Sequence, residues 1–434
     1  MEISGQVALA GALVFLAHIF AWVFSFTAIP DGLLLMLLGL AGAWLGNVSP
    51  DFFGQVGEFL LSAALVIILF QGGISLRISM LREAWSGTLR LALVSFLLSF
   101  AGVGVLLWVL TPLPWLAAFI VGAIVSGTTS AVVIPFLDNL QVQPASRALL
   151  ILESAITDVL TIVLTVALLQ AYQTGEVEIW RMLLRVGVSF IYATCVGVIV
   201  GLVWSLLLDR VRMIQNSMFI TPAFLFLIYG GVEALGFSGP IVALAFGIVL
   251  GNIGSLNSFL SRSHRVLQMM FQPVALSKRE KAFFGEIVFL LQTFFFIYVG
   301  LSIRMAGWYV MGVALSLTMV MLVLRYVAVW ISVPRTTTRR EAGLMAVMIP
   351  KGLAAVVLAS LVVQRGVEFT LPVADIVYGV VLWSITITSI LVFLLEMTPL
   401  KRVYSGMLHG FALDAPVVDA ESTIVSAGSA EGEV

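Results

Sequence analysis

Apolar runs about 20 residues long, parted by short polar breaks, recur along nearly the whole chain, and runs of that length cross a bilayer as helices. Thirteen are counted, at roughly 5–26, 29–46, 55–74, 88–110, 113–138, 147–172, 183–208, 215–235, 238–254, 284–303, 307–331, 342–364 and 373–397. The stretch 255–283 mixes polarity and is expected to lie along the membrane interface. No basic segment precedes the first run, so it is expected as a retained span rather than a signal peptide. The tail from 404 is small, polar and acidic, and is expected to be disordered. The pattern predicts an all-α polytopic membrane protein.

Composition sharpens the class. Of 434 residues 61% are hydrophobic and 10% charged, where a soluble domain carries about 25% charge. One cysteine, Cys195, excludes a disulfide framework, and His18, His264 and His409 lie too far apart in sequence to suggest a metal centre. Neither a cofactor nor nucleic-acid binding is expected, the net charge being −1 with no basic cluster. With the N-terminus outside, sixteen of the 22 basic residues fall on the cytoplasmic side, four outside (Arg181, Arg185, Arg304, Arg365), and Arg325 and Lys351 inside spans. The expected orientation in the plasma membrane is therefore N-out, C-in.

The chain also repeats itself. Leu45-Gly46-Asn47 closes the second span and Leu250-Gly251-Asn252 the ninth; "GISLR" (73–77) leaves the third and "GLSIR" (300–304) the tenth; "SAVV" (130–133) lies in the fifth and "AAVV" (354–357) in the twelfth. Each pair is seven spans apart. An odd separation inverts the copies across the bilayer, the architecture of secondary transporters with a site at the repeat interface near the midplane. The fifth span carries "GAIVSGTTSAVVIP", with Gly122, Gly127, Thr128, Thr129, Ser130 and Pro135; the twelfth carries "MIPKGLAAVV", with Pro350, Lys351 and Gly352. Such residues interrupt helices and free carbonyls and hydroxyls that suit a small hard cation. The other reading makes them small-residue helix-packing positions.

The sixth span, "LILESAITDVLTIVL" (150–164), holds two acids, Glu153 and Asp158. At 100° per residue they lie about 140° apart and face different neighbours, while Ser154 shares the face of Asp158. An arginine is charged at any working pH, so Arg325 is the expected permanent partner of Glu153. Asp158 is then left to take up a proton or a metal cation, and competition of the two at one carboxylate is exchange. The other allocation, an architectural bridge between Asp158 and Lys351, stays open.

These residues resemble a known family. "ESAITD" (153–158) is similar to the "ESxxND" motif of the monovalent cation/proton antiporter superfamily, in its NhaP-like sodium/proton exchanger branch. "ILFQGGISL" (68–76), "GAIVSGTTSAVV" and "IPKGLAAVVLA" resemble its third-, fifth- and twelfth-helix motifs, the last with lysine in place of the arginine of "PRG". The resemblance covers about residues 5–400. It implies thirteen helices in two inverted repeats, with broken helices crossing at the midplane, and a homodimer in a lipid membrane working by an elevator-like movement. On that basis residues 1–403 are the antiporter membrane domain. Core helices are expected at about 55–172 and 284–397, dimerisation helices at about 5–46 and 183–254, and an acidic cytoplasmic tail at 404–434.

The resemblance further implies that Asp158 binds Na⁺ (or Li⁺, or K⁺) in exchange for H⁺, with Ser154, Thr128 and Thr129 supplying neutral oxygens. Glu153 pairs with Arg325, and Lys351 balances a broken helix. Thr129 stands where the family has the aspartate of "TDP", and Thr157 where it has asparagine or a second aspartate. One titrating carboxylate leads to an expected electroneutral one-for-one exchange. A K⁺/H⁺ antiporter is the alternative. A cation channel lacks a ring of identical ligands, and an intramembrane protease would need Asp138, at a helix end, beside Asp158.

Overall fold

The computed structural model describes residues 3–27, 31–46, 54–75, 78–140, 142–175, 179–214, 217–263, 274–303, 308–365, 369–397 and 410–412. Among these the chain forms fifteen α-helices: α1 (Ile3–Thr27), α2 (Asp31–Gly46), α3 (Gly54–Ser75), α4 (Ile78–Leu110), α5 (Trp115–Ser126), α6 (Ser130–Asn139), α7 (Pro144–Thr174), α8 (Ile179–Arg212), α9 (Ile220–Ala234), α10 (Gly239–Ser263), α11 (Lys278–Ser302), α12 (Trp308–Ser332), α13 (Arg339–Val347), α14 (Leu353–Gln364) and α15 (Val373–Met397). Among the described residues seven stretches are long and apolar enough to cross a membrane and six shorter helices are apolar, thirteen together. The fifth and twelfth spans are each two helices, α5–α6 and α13–α14.

Several boundaries differ from the sequence reading. α4 starts at Ile78 and not near 88, because a helix emerging from the bilayer keeps its backbone bonds while its side chains turn polar. α10 likewise runs on to Ser263 and α11 begins at Lys278, so much of the supposed interfacial stretch 255–283 is helical; residues 264–273 lie outside the described residues. Ser277 caps α11 in a reciprocal box with Glu280, and Glu280 also takes Arg212 at the end of α8 at 2.7 Å. Arg77, Arg265, Arg304, Lys401 and Arg402, used for the orientation, lie outside the described residues, as do 404–409 and 413–434.

Within the tail expected to be disordered, Gly410–Ala412 docks. The Ala412 N–H donates to the carbonyls of Arg335 and Thr337, both at 3.1 Å, and the Arg339 N–H donates to the Ala412 carbonyl at 2.9 Å. Phe411 is buried with the Arg335 guanidinium 4.7 Å over its ring.

The packing follows the inverted repeat. α2 packs on α11 and α3 on α10, the same contact read in the two copies. A Cβ added at Gly300 would overlap the Met36 carbonyl, and one at Gly39 the Ile297 carbonyl. Across the other pair, a Cβ at Gly247 would overlap the Phe70 carbonyl and one at Gly73 the Leu244 carbonyl. Both helix pairs therefore meet backbone to backbone, which only glycine allows. The second group obeys the same symmetry: α4 packs on α5 and α7, and α12 on α13 and α15. At one end of this group, Glu341 of α13 accepts the Gln143 N–H (2.7 Å) and the Ser146 hydroxyl (2.9 Å), tying the start of α13 to the start of α7.

Candidate functional site

The two helix breaks meet. α5 ends at Ser126, the chain runs extended through Gly127–Thr129, and α6 begins at Ser130. The break falls at Gly127 and not at Pro135, which lies inside α6; Gly122 instead serves close packing, since a Cβ there would sit 2.7 Å from the Phe100 carbonyl. α13 ends at Val347 and α14 begins at Leu353, with Met348–Gly352 between them. The Thr129 N–H donates to the Pro350 carbonyl at 3.0 Å, joining one break to the other. Gly352 fits against Thr129, whose Cγ2 and Oγ1 would lie 2.7 and 2.8 Å from an added Cβ.

Each break frees carbonyls at the end of its first half-helix, where the helix dipole is negative. A buried cation meets each of them. Lys351 Nζ donates to the Ser126 carbonyl at 3.3 Å, so the lysine of one break serves the carbonyl end of the other. Arg325, 1% exposed on α12, donates through Nε to the Met345 carbonyl of α13 at 2.9 Å. Its Nη1 and Nη2 grip Glu153 Oε1 and Oε2 at 2.6 and 2.9 Å, and Nη1 also donates to Ser95 Oγ at 2.9 Å. Lys351 lies within electrostatic reach of Arg325, Glu153 and Asp158.

Hydroxyls on the two neighbouring helices hold the extended segments. On α7, Ser154 Oγ donates to the Thr128 carbonyl (2.8 Å) and Thr157 Oγ1 accepts the Thr128 N–H (3.2 Å). The Thr128 hydroxyl in turn lies 3.2 Å from Thr157 Oγ1 and donates to Glu153 Oε1 at 3.4 Å. On α15, Ser384 Oγ accepts the Lys351 N–H (3.0 Å), and Thr388 accepts the Ile349 N–H (3.4 Å) while donating to the Val347 carbonyl (3.3 Å).

The structure thus gathers Glu153, Ser154, Thr128, Arg325 and Lys351 into one buried network. Asp158 is also buried, one turn after Ser154 and next to Thr157, and Thr129 lies at the contact between the breaks. Ser95, Ser126, Ser384 and Thr388 belong to the network but escaped the sequence reading. The signal for the last two was present in "WSITITS" (383–389), four hydroxyls in seven residues of an apolar span.

Comparison with known proteins places this arrangement. A family model described as sodium/hydrogen exchanger, transmembrane, matches residues 12–397. The chain is 26% identical over 266 residues to Na(+)/H(+) antiporter 1 of Methanocaldococcus jannaschii, covering 58% of this chain and 61% of that one. It is 29% identical over 231 residues to the K(+)/H(+) antiporter NhaP2 of a Shewanella species, covering 52% and 40%. It is also 29% identical over 276 residues to the Na(+)/H(+) antiporter ApNhaP of Aphanothece halophytica, covering 61% and 50%. The chain spans about half the length of these curated relatives. Among solved structures, the sodium proton antiporter MjNhaP1 from Methanocaldococcus jannaschii at pH 8 shares the fold, with a TM-score of 0.70 over 94% of this chain and 98% of that one at 20% identity. With a match that takes in both broken spans, α7 and α12, the chain belongs to the sodium/hydrogen exchanger transmembrane family, in its NhaP-like branch.

Proposed function

We propose that the chain exchanges a monovalent cation (Na⁺ or Li⁺, with K⁺ as the alternative) for H⁺, one for one, with Asp158 as the shared site. Its curated relatives are named as Na⁺/H⁺ and K⁺/H⁺ antiporters, transporters and not enzymes. The observation that carries the reading is the charge arithmetic around the crossing. Glu153, Asp158, Arg325 and Lys351 are all buried, with Lys351 in electrostatic reach of the other three, two acids against two cations. Glu153 is committed to Arg325, and both cations stand on carbonyl ends of broken helices. A proton or a monovalent cation arriving at Asp158 adds the same single positive charge. The two loaded states then cross the membrane field at equal cost, which is electroneutral exchange.

Ser154, Thr128 and Thr129 supply neutral oxygens to the cation, and Glu153, Arg325 and Lys351 brace the breaks. The moving part comprises α4–α7 and α12–α15, carried against α1–α3 and α8–α11 in an elevator-like step within a homodimer. That division differs from the sequence expectation for α3 and α11. Their glycine contacts with α10 and α2 support keeping both with the stationary helices. The chain is a multi-pass membrane protein, and the plasma membrane with N-out, C-in orientation is part of the same reading.

Asp158→Asn, reconstituted in proteoliposomes, is expected to abolish pH-gradient-driven uptake of Na⁺, Li⁺ and K⁺ while the protein stays folded. An architectural bridge to Lys351 predicts the reverse, a lowered melting temperature with exchange retained. Rates that depend on membrane voltage would contradict the one-for-one stoichiometry.

A further inference from the structure

Hydroxyls inside the helices of this protein usually donate to the carbonyl one turn back. Thr293 bonds Phe289, Thr318 bonds Ala314, Thr386 bonds Leu382 and Ser389 bonds Ile385. That habit satisfies a group whose burial would otherwise be costly. Thr161 breaks it. The residue is 1% exposed, and its hydroxyl finds no hydrogen-bond partner among the described residues. Instead Oγ1 is directed at the first residue of the extended break: a Cβ built on Gly127 would lie 2.5 Å from it. Thr161 also follows Asp158 by three residues on α7, a spacing that puts the two side chains on one face with about 5–6 Å between their Cβ atoms. One cation can bridge a carboxylate and a hydroxyl at that separation.

We infer that Thr161 is a specificity-determining residue of the exchange, its hydroxyl serving as a neutral ligand to the cation held at Asp158. The inference rests on the proposed function. A cation leaving water needs several oxygens to replace its hydration shell, and the field strength and number of those oxygens set the preference among alkali cations. Where Thr129 stands at the crossing in place of an acid, a further neutral oxygen from α7 fills out the shell. Small, strongly hydrated cations depend most on every ligand, so losing the Thr161 oxygen costs Li⁺ and Na⁺ more than K⁺.

The test compares Thr161→Val, which keeps the shape and removes the hydroxyl, with Thr161→Ser, which keeps the hydroxyl. Proteoliposome exchange is measured for Li⁺, Na⁺ and K⁺ across a range of concentrations, with Asp158→Asn and Thr165→Val alongside. Thr165 is a fair control: its hydroxyl is also buried and unpartnered, but it lies two turns from Asp158. The expected result is an apparent KM for Na⁺ and Li⁺ about 10-fold higher in Thr161→Val, with a smaller change for K⁺, and near-recovery in Thr161→Ser. The melting temperature of Thr161→Val should equal or exceed that of the unmodified protein, since no intramolecular hydrogen bond is lost. A hydroxyl with a structural role alone would move the melting temperature and leave the cation ratio in place.

Unchanged KM values and cation ratios in Thr161→Val overturn the inference, and so does an equal shift in Thr165→Val. Should Thr161→Val fail to fold, Thr161→Ala is read by the same criteria. The Asp158→Asn arm separates the two levels. Exchange surviving there removes the proposed function, whereas its loss together with an unaffected Thr161→Val removes the role of Thr161 alone.

Discussion

Glu153→Gln probes how the breaks are braced. The substitution keeps the shape of the side chain but replaces one carboxylate oxygen with an amide NH₂. In the structure both oxygens are in use: Oε1 takes Arg325 Nη1 at 2.6 Å and the Thr128 hydroxyl at 3.4 Å, and Oε2 takes Arg325 Nη2 at 2.9 Å. Glutamine can satisfy one guanidinium nitrogen and sets donor against donor at the other. More important, Arg325 would remain buried and charged, with Ser95 Oγ and the Met345 carbonyl still accepting from it. Breaking a buried ion pair by removing one member costs about 3–5 kcal/mol. A soluble domain of 150–250 residues loses about 2–4 °C per kcal/mol, so in a chain of this length a fall on the order of 5–10 °C in detergent is expected.

Arg325→Met should cost more than Glu153→Gln, because it strands the carboxylate and also the Met345 carbonyl at the end of α13. The double variant should recover part of the loss, with a coupling energy of about 1–3 kcal/mol between the two sites. Thermal unfolding of the purified single and double variants measures all three quantities, and proteoliposome flux tells whether exchange persists at temperatures where Glu153→Gln is folded. Exchange should persist. An unaltered melting temperature, strictly additive variants, or loss of flux in a fully stable Glu153→Gln would each refute a bracing role.

Gly300→Ala should force α2 and α11 apart and cost about 1–3 kcal/mol or more, whereas Gly312→Ala, with open space around it, should be neutral or stabilising by up to about 1 kcal/mol. Equal melting temperatures for the two variants would contradict the backbone contact. Gly352→Ala must displace the Thr129 side chain, which lies 2.7–2.9 Å from the added Cβ; it should reduce cation uptake in proteoliposomes far more than stability, and wild-type uptake would show that Thr129 tolerates the shift. Phe411→Ala removes the side chain buried under Arg335. The segment Gly410–Ala412 should then open more readily, by about 3 kcal/mol or 100-fold in amide exchange at Arg339 and Ala412, and unchanged protection there would place the anchor elsewhere.

How much of this was legible in the sequence follows from what each feature depends on. Span number rests on the thickness of the bilayer, a constraint that acts on each run of residues separately, so hydropathy and length found thirteen apolar segments. The breaks were legible because Gly127 and the Pro350-Lys351-Gly352 cluster disturb a helix locally, whatever it packs against. Ends of helices outside the bilayer were not. Residues 78–86 and 257–263 are polar enough to read as loops, yet their sequence holds no proline or glycine to stop the backbone ladder. Nor could the sequence say that Lys351 would serve the carbonyl end of α5 or Arg325 that of α13, since both are contacts between segments far apart in the chain. The docking of Phe411 has the same character, one aromatic side chain in a stretch otherwise read as polar and acidic.

The two repeats share architecture and differ in chemistry, and that difference bears on how many ions move per cycle. α7 and α15 occupy matching places, and each bonds the extended segment of its own repeat through a serine and a threonine: Ser154 and Thr157 reach Thr128, while Ser384 and Thr388 reach Lys351 and Ile349. Aligning Ser154 with Ser384 puts Trp383 where the other copy has Glu153, and Thr388 where it has Asp158. Both copies use a serine and a threonine, the two threonines standing one position apart in this alignment (Ile387 matches Thr157), and the carboxylates appear once. Two acid-bearing copies would place two titrating groups at one crossing, where the repulsion of like charges splits their protonation and admits more than one proton per turnover. With the acids of the crossing on α7, the proposed mechanism assigns exchange to Asp158 while Glu153 holds Arg325, and Thr388→Asp tests the count directly. On the proposed mechanism a second acid in α15 should make exchange voltage-sensitive, and exchange that stays electroneutral in a folded Thr388→Asp variant would mean that the number of acids at the crossing does not set the stoichiometry.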